Sequence, residues 1–206
     1  MAELGFFHST VNSGKTLQIM KVIHDYEVNN ERRVFVAKPK IDSKAGNCIQ
    51  SRVGEMTREV DFLIDNDSPR DILDVLRGQE YDVVLVDEAQ FLSRDAVWAL
   101  MEVAHSFNIP VKTFGLRVAY DGEPFIGSTY LFALADRVEV VEPVLCRIDG
   151  VQPATKNLRV VNGEPVFSGE TVVIDGTSQN VEYIPVCSDE FMRFKTLSEL
   201  TQDEGD

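Results

Sequence analysis

The sequence predicts an α/β fold: a parallel sheet wrapped by helices, followed by a small β-rich unit. Three observations carry this. Up to Val141, short apolar runs alternate with helical patterns, as in successive βαβ units. The run Asp82 to Val86 (DVVLV) is continuously apolar after its first residue, as a strand buried on both faces requires. After Glu142 the text changes to β-branched segments such as NLRVVNGEPVF and GETVVIDG, punctuated by Asn-Gly and Asp-Gly, which predict hairpins.

Taken in order, Leu4 to Phe7 reads as a buried strand, followed by a Gly/Ser/Asn turn. From Lys15 to Tyr26, the set Ile19, Val22, Ile23 and Tyr26 has the i, i+3, i+4, i+7 spacing of a helix face. Arg33 to Ala37 is a second strand, and Lys38 to Glu59, polar with Gly46 and Gly54, reads as a long mobile loop. Asp67-Ser68-Pro69 is a helix start before Ile72, Leu73, Val75 and Leu76. Ser93 opens a helix running to about Phe107, and Ile109 to Gly115 and Val138 to Val141 supply two more strands. The end, SELTQDEGD, is acidic and is expected to be a frayed tail. There is no internal repeat.

Length and charge narrow the function. A chain of 206 residues with 44% hydrophobic and 26% charged residues fits one ordinary domain with a small appendage. The net charge of −14 disfavours nucleic acid and anionic membrane as partners, because both want clustered Lys/Arg. The charge is uneven: residues 1–60 hold a balance of +2 and the remainder −16, so an anionic ligand belongs to the N-terminal part. Three cysteines make a disulfide framework unexpected and fit a reducing compartment. The start MAELGFFHST lacks a basic segment followed by an apolar one, so no signal peptide is expected. No apolar run is long enough to span a bilayer, and the expected location is cytoplasmic. His8, His24 and His105 show no ligand spacing.

Two motifs carry chemistry. Ser9-Thr10-Val11-Asn12-Ser13-Gly14-Lys15-Thr16, between a strand and a helix, matches the P-loop pattern except that Ser9 replaces the first glycine. Successive backbone N–H groups of such a turn wrap phosphates, and the helix N-terminus adds a favourable dipole. Gly14 permits close approach, Lys15 reaches the terminal phosphates and the Thr16 hydroxyl suits Mg²⁺. The second motif, Asp87-Glu88-Ala89-Gln90, follows DVVLV directly, at the end of a strand where open α/β sheets bind ligands. Asp87 is the candidate Mg²⁺ partner and Glu88 the candidate general base near the γ-phosphate. Helicases carry similar tetrads, but they need a second core and further motifs that are missing from this acidic chain. The core is therefore expected to be a P-loop NTPase core.

The stretches FFHSTVNSGKT, VLVDEAQFL, FGLRVAYDGEPFIGS and TVVIDG with Tyr183 together resemble the type II, zinc-bearing cytosolic thymidine kinase family, bacterial members above all. The resemblance runs from about residue 3 to 192. It implies a kinase core over 1–141 with a lid at about 38–59, a β-rich lasso domain, zinc-ribbon-like and degenerate here, over 142–192, and an acidic tail over 193–206. It implies ATP-dependent phosphorylation of thymidine and deoxyuridine at the 5′-hydroxyl, giving dTMP. In it, Ser9 to Thr16 hold ATP, Glu88 is the base, and further nucleotide contacts fall within Asp87 to Gln90, including Ala89. Thymine is walled by Val11, Phe91, Leu116, Tyr120 and Phe125. Val11 stands where many members have methionine, and Tyr120 where they have phenylalanine. The lasso backbone of Val173, Ile174, Asp175 and Gly176 faces thymine and Tyr183 closes the site; Asp175 replaces a usual glycine. Arg52 is the lid's phosphate-side cation. The resemblance also implies a homotetramer and makes dTTP a possible feedback inhibitor. The alternative from the motifs alone is a P-loop ATPase or switch protein acting on a macromolecular partner.

The resemblance further implies a structural zinc held by two ligand pairs. Here the pairs read Cys146-Arg147-Ile148-Asp149 and Cys187-Ser188-Asp189-Glu190, one cysteine in each. The second ligand of the first pair falls on Ile148, which cannot ligate, or on Asp149, and the last on Glu190. The expectation is that the zinc site has been lost, with Cys146 and Cys187 as its remnants.

Overall fold

DVVLV becomes the centre of the molecule's main sheet because neither face of the strand needs water. In the computed structural model, which describes residues 1–42, 45–51, 55–169 and 180–203, its residues Val83 to Val86 are fully buried. The elements run in this order: β1 (Leu4–Ser9), α1 (Lys15–Ile23), β2 (Val34–Pro39), β3 (Cys48–Gln50), β4 (Thr57–Glu59), β5 (Phe62–Ile64), α2 (Asp71–Leu76) and β6 (Val83–Val86). Then follow α3 (Arg94–Ser106), β7 (Val111–Leu116), α4 (Ile126–Leu134), β8 (Arg137–Val140), β9 (Lys156–Val161), β10 (Glu164–Pro165), β11 (Val181–Val186) and α5 (Ser188–Asp203). The described residues group into two units.

The first unit comprises Met1–His8, Gly14–Leu116 and Phe125–Val141. Its mainly parallel sheet has the order β5-β2-β6-β7-β1-β8, the fold class the sequence predicts. The period of two along β6 divides the core. Val84 and Val86 join Leu73 of α2 and Val97 and Leu100 of α3 on one face. Val83 and Leu85 join Ile19, Met20 and Ile23 of α1 on the other. Ser93 caps α3 as its sequence position predicts, its hydroxyl accepting from Ala96 N–H at 3.2 Å. A π-helical turn, His24–Asn29, prolongs α1.

Two features depart from the sequence reading. The polar stretch 38–59 is not a featureless loop: β3 and β4 pair as a short antiparallel hairpin. Phe62–Ile64 forms the edge strand β5 beside β2. Strands of three residues are too short to show alternation, so no period marks them. At the start of the stretch, Lys38 is fully buried, and its ammonium donates to Asp42 Oδ2 at 3.0 Å and Cys48 O at 3.2 Å. Arg52 lies outside the described residues.

The second unit comprises Ser9–Ser13, Arg117–Pro124 and Glu142–Asp206, so two short segments from within the expected 1–141 core group with it. β9 pairs antiparallel with β10 and β11. The predicted Asn-Gly turn is present: Asn162 and Gly163 have φ of 52° and 91°. The second predicted hairpin, GETVVIDG, lies outside the described residues after Gly169. The small core holds Cys146, Leu158, Ile184, Val186, Cys187 and Phe191, with Phe167 and Phe194 against it. Phe191 and Phe194, three apart on α5, draw the expected tail into a helix that runs to Asp203.

Candidate functional site

The phosphate turn follows β1 and leads into α1. Asn12 and Gly14 both adopt left-handed backbone, with φ of 58° and 79°, the kind of conformation from which anion-binding nests are built. Gly14 caps α1 without a side chain, and the Ser13 hydroxyl donates to Thr10 O at 2.9 Å. Within the second unit, the Val11 N–H is bound by Asn157 Oδ1 at 2.8 Å. The other end of the Asn157 amide donates to Val118 O at 2.9 Å, so one buried side chain on β9 ties two loop segments.

Within the first unit, Lys15, Thr16, Asp87 and Glu88 come together. The Thr16 hydroxyl donates to Asp87 Oδ2 at 3.0 Å, and Asp87 Oδ1 accepts the Glu88 N–H at 2.9 Å. Burial first, then the Glu88 charge, pushes the Asp87 carboxyl up to about 7. Burial also pulls Lys15 below the ordinary lysine value, against the pull of Glu88 and Asp87. A buried carboxylate that resists ionisation beside a hydroxyl fits a divalent cation, because the cation's charge favours the ionised form. Thr16 and Asp87 are therefore a fitting pair for Mg²⁺.

Glu88 itself has φ 50° and ψ 36°, a left-handed conformation unusual for a residue with a side chain. Ala89 and Gln90, expected as nucleotide contacts, are buried at 0% and 2% exposure. The Gln90 amide donates to Glu88 Oε2 and accepts from Leu116 N–H at 3.0 Å. Phe91 and Phe125 meet edge to face with centroids 5.6 Å apart. Leu116, the last residue of β7, accepts the Ser128 hydroxyl on its carbonyl at 2.6 Å. Phe91, Leu116 and Phe125 are all half-buried. Gly127 explains part of the FIGS stretch: a Cβ there would collide with the carbonyls of Ala89, Gln90 and Leu92.

In the second unit Tyr120 is 2% exposed, and its hydroxyl donates to Gly169 O at 2.7 Å. The Arg159 guanidinium lies 4.7 Å over its ring, and Tyr183 meets its edge at 6.3 Å. Burial pushes the Tyr120 phenol up. Val173, Ile174, Asp175 and Gly176 lie outside the described residues. Sequence reasoning missed Asn157 and Arg159, which sit in no phosphate or nucleoside motif, and it gave no role to Ser128 at the end of the FGLRVAYDGEPFIGS stretch. For Asn157 and Arg159 the one available signal was a polar side chain flanking the apolar residues of β9.

The candidate zinc position brings three donors together. One ligand atom each of Cys146, Asp149 and Cys187 lies within 4.8 Å of the others. Asp149 occupies the ligand place and Ile148 does not; Ile148 is 42% exposed. Asp149 Oδ1 accepts Val151 N–H at 2.8 Å and Gln152 N–H at 3.1 Å, the Val151 bond first among the causes that hold this carboxyl below its usual value. Its Oδ2 takes the Cys187 thiol at 3.5 Å, and burial pushes that thiol up. Glu190, the expected fourth ligand, pairs with Arg193 at 2.7 Å. Among the described residues, Cys146, Asp149 and Cys187 form a group that could hold a metal ion, and Glu190 is not part of that group.

No helix among the described residues is long and apolar enough to cross a membrane. Comparison with known proteins agrees with the motifs. The thymidine kinase family model matches residues 2–191. The chain is 36% identical over 194 residues to a thymidine kinase of Lactococcus lactis subsp. lactis, covering 94% of this chain and 98% of that protein. It is 38% identical over 190 residues to a thymidine kinase of Streptococcus pyogenes serotype M3, covering 91% and 95%. A Lactiplantibacillus plantarum thymidine kinase is 37% identical over 192 residues, covering 91% and 94%.

Proposed function

The chain belongs to the thymidine kinase family, and from that premise we propose that it transfers the γ-phosphoryl group of ATP to the 5′-hydroxyl of thymidine, with Glu88 as the general base. The observation that carries the reading is the meeting of Lys15, Thr16, Asp87 and Glu88 at the end of β6 beside the phosphate turn. Glu88 takes the proton from the 5′-hydroxyl as its oxygen bonds to the γ-phosphorus. The bond to the β-phosphate bridging oxygen breaks, and ADP leaves. Ser9 to Thr16 hold the phosphates, with Lys15 balancing their charge. Thr16 and Asp87 would hold Mg²⁺, which would neutralise charge on the phosphates.

Phe91, Leu116 and Phe125 of the first unit are assigned to the nucleoside side, and so are Val11, Tyr120 and Tyr183 of the second. The lasso residues Val173 to Gly176 are assigned to the pyrimidine edge on the strength of the motif resemblance. Deoxyuridine is the second substrate, a homotetramer the working assembly, the cytoplasm the location and dTTP the inhibitor to test. The burial of Ala89 and Gln90 argues against carrying their side chains forward as nucleotide contacts. Cys146, Asp149 and Cys187 would be the residues to hold a structural zinc if one binds, and the zinc content of the protein is a matter for measurement.

The test is direct: incubate the protein with ATP, Mg²⁺ and each deoxynucleoside, and measure monophosphate formation. ATP hydrolysis without thymidine phosphorylation would overturn the reading. Glu88→Gln should lower kcat by about 10²–10⁴-fold while nucleotide binding persists; full turnover would remove Glu88 from the role of base.

A further inference from the structure

The putting of a base in place is a separate problem from its identity, and the structure offers a specific solution. Glu88 stands in left-handed backbone, and its own N–H is committed to Asp87 Oδ1. Its side chain is half-buried and could swing about its own torsions. Gln90, two residues on, is 2% exposed, and both ends of its carboxamide are engaged. The Nε2 group donates to the Glu88 carboxylate. The Oε1 atom accepts Leu116 N–H at 3.0 Å, at the end of β7. The fit is close: a Cβ on Gly115 would come within 2.9 Å of Gln90 Oε1 and 3.0 Å of its backbone nitrogen. Gly115 therefore leaves the room that the Gln90 side chain fills.

We propose that Gln90 is the positioning residue for the base: its buried carboxamide, anchored on Leu116 N–H, holds the Glu88 carboxylate in the orientation from which it takes the proton. This rests on Glu88 being the base. Gln90 touches no reacting atom in this scheme. It acts through Glu88, so its removal costs rate and leaves substrate affinity in place.

The experiment is a double-mutant cycle between Gln90→Met and Glu88→Gln in the full-length protein, with kcat and the KM of thymidine and of ATP measured for each. Gln90→Met alone is expected to lower kcat about 10–100-fold, with both KM values within about twofold. In the Glu88→Gln background the same substitution should lower kcat no further. Four results would overturn the proposal: unchanged kcat in Gln90→Met, an equal loss in both backgrounds, a raised KM of ATP with kcat intact, or a raised KM of thymidine with kcat intact. If Gln90→Met does not fold, Gln90→Leu is the second variant, with the same expected loss, because it too cannot donate to the Glu88 carboxylate. The two readings separate cleanly. Full turnover in Glu88→Gln alone removes the base, whereas a dead Glu88→Gln with a normal Gln90→Met removes only the positioning role.

Discussion

Asp87→Asn should make the ligand-free protein more stable at pH 8 while it weakens the enzyme. In the wild type, burial and the Glu88 charge raise the Asp87 carboxyl from 3.8 to about 7. A displacement of that size corresponds to about 4 kcal/mol between the protonation states. The sign follows from linkage. Between the two values the folded protein holds a proton that the unfolded chain has released, so stability falls as pH rises through that window. From pH 5 to pH 8 the wild type should lose about 3 kcal/mol more than Asp87→Asn, which carries no charge there to bury. The amide keeps an acceptor for Thr16 or for the Glu88 N–H, so the local hydrogen bonding is largely retained. The assay is urea unfolding in EDTA, without nucleotide, at pH 5 and pH 8. Parallel pH dependence in the two proteins would refute the burial argument.

Three further outcomes are expected. Gly127→Ala should destabilise by about 1–3 kcal/mol in denaturant unfolding, because its Cβ meets the carbonyls of Ala89 and Gln90, which cannot yield as a side-chain tip would. Asn157→Ala leaves the Val11 N–H and Val118 carbonyl without their side-chain partner, and should cost about 1–3 kcal/mol and raise the KM of ATP, read by thermal unfolding and steady-state kinetics. Elemental analysis of the purified protein should find well under one zinc per chain; one equivalent retained through gel filtration would show that three donors suffice.

How much of this was legible depended on whether a signal was local. DVVLV announced β6 because burial on both faces leaves one kind of residue along the strand. Ser93 and Asn162-Gly163 were legible because caps and turns are written in adjacent residues. The phosphate turn and Asp87-Glu88 were legible as motifs for the same reason. β5 and the β3–β4 hairpin were not, since three-residue strands are held by neighbours far along the chain and carry no pattern of their own. Gln90 was read for its place in a motif, while its contacts are set by Leu116, 26 residues away. Asn157 reaches Val11 across 146 residues, a partnership that no window of sequence displays. Asp149 shows a middle case: its spacing from Cys146 suggested a ligand place, and only folding decided it over Ile148.

The position of β1 in the sheet also sets a schedule. β1 lies between β7 and β8, whose residues are made more than 100 positions later. At about 5–20 residues per second, the apolar segment Leu4–Phe7 leaves the ribosome on the order of ten seconds before its flanking strands exist. Until then it is an unpaired strand with two sticky edges. Its safe passage falls to chaperones or to the emerging chain's own transient contacts. Slowing translation before Val111 should therefore lower the yield of native protein, whereas the same pause placed after Val141 should not.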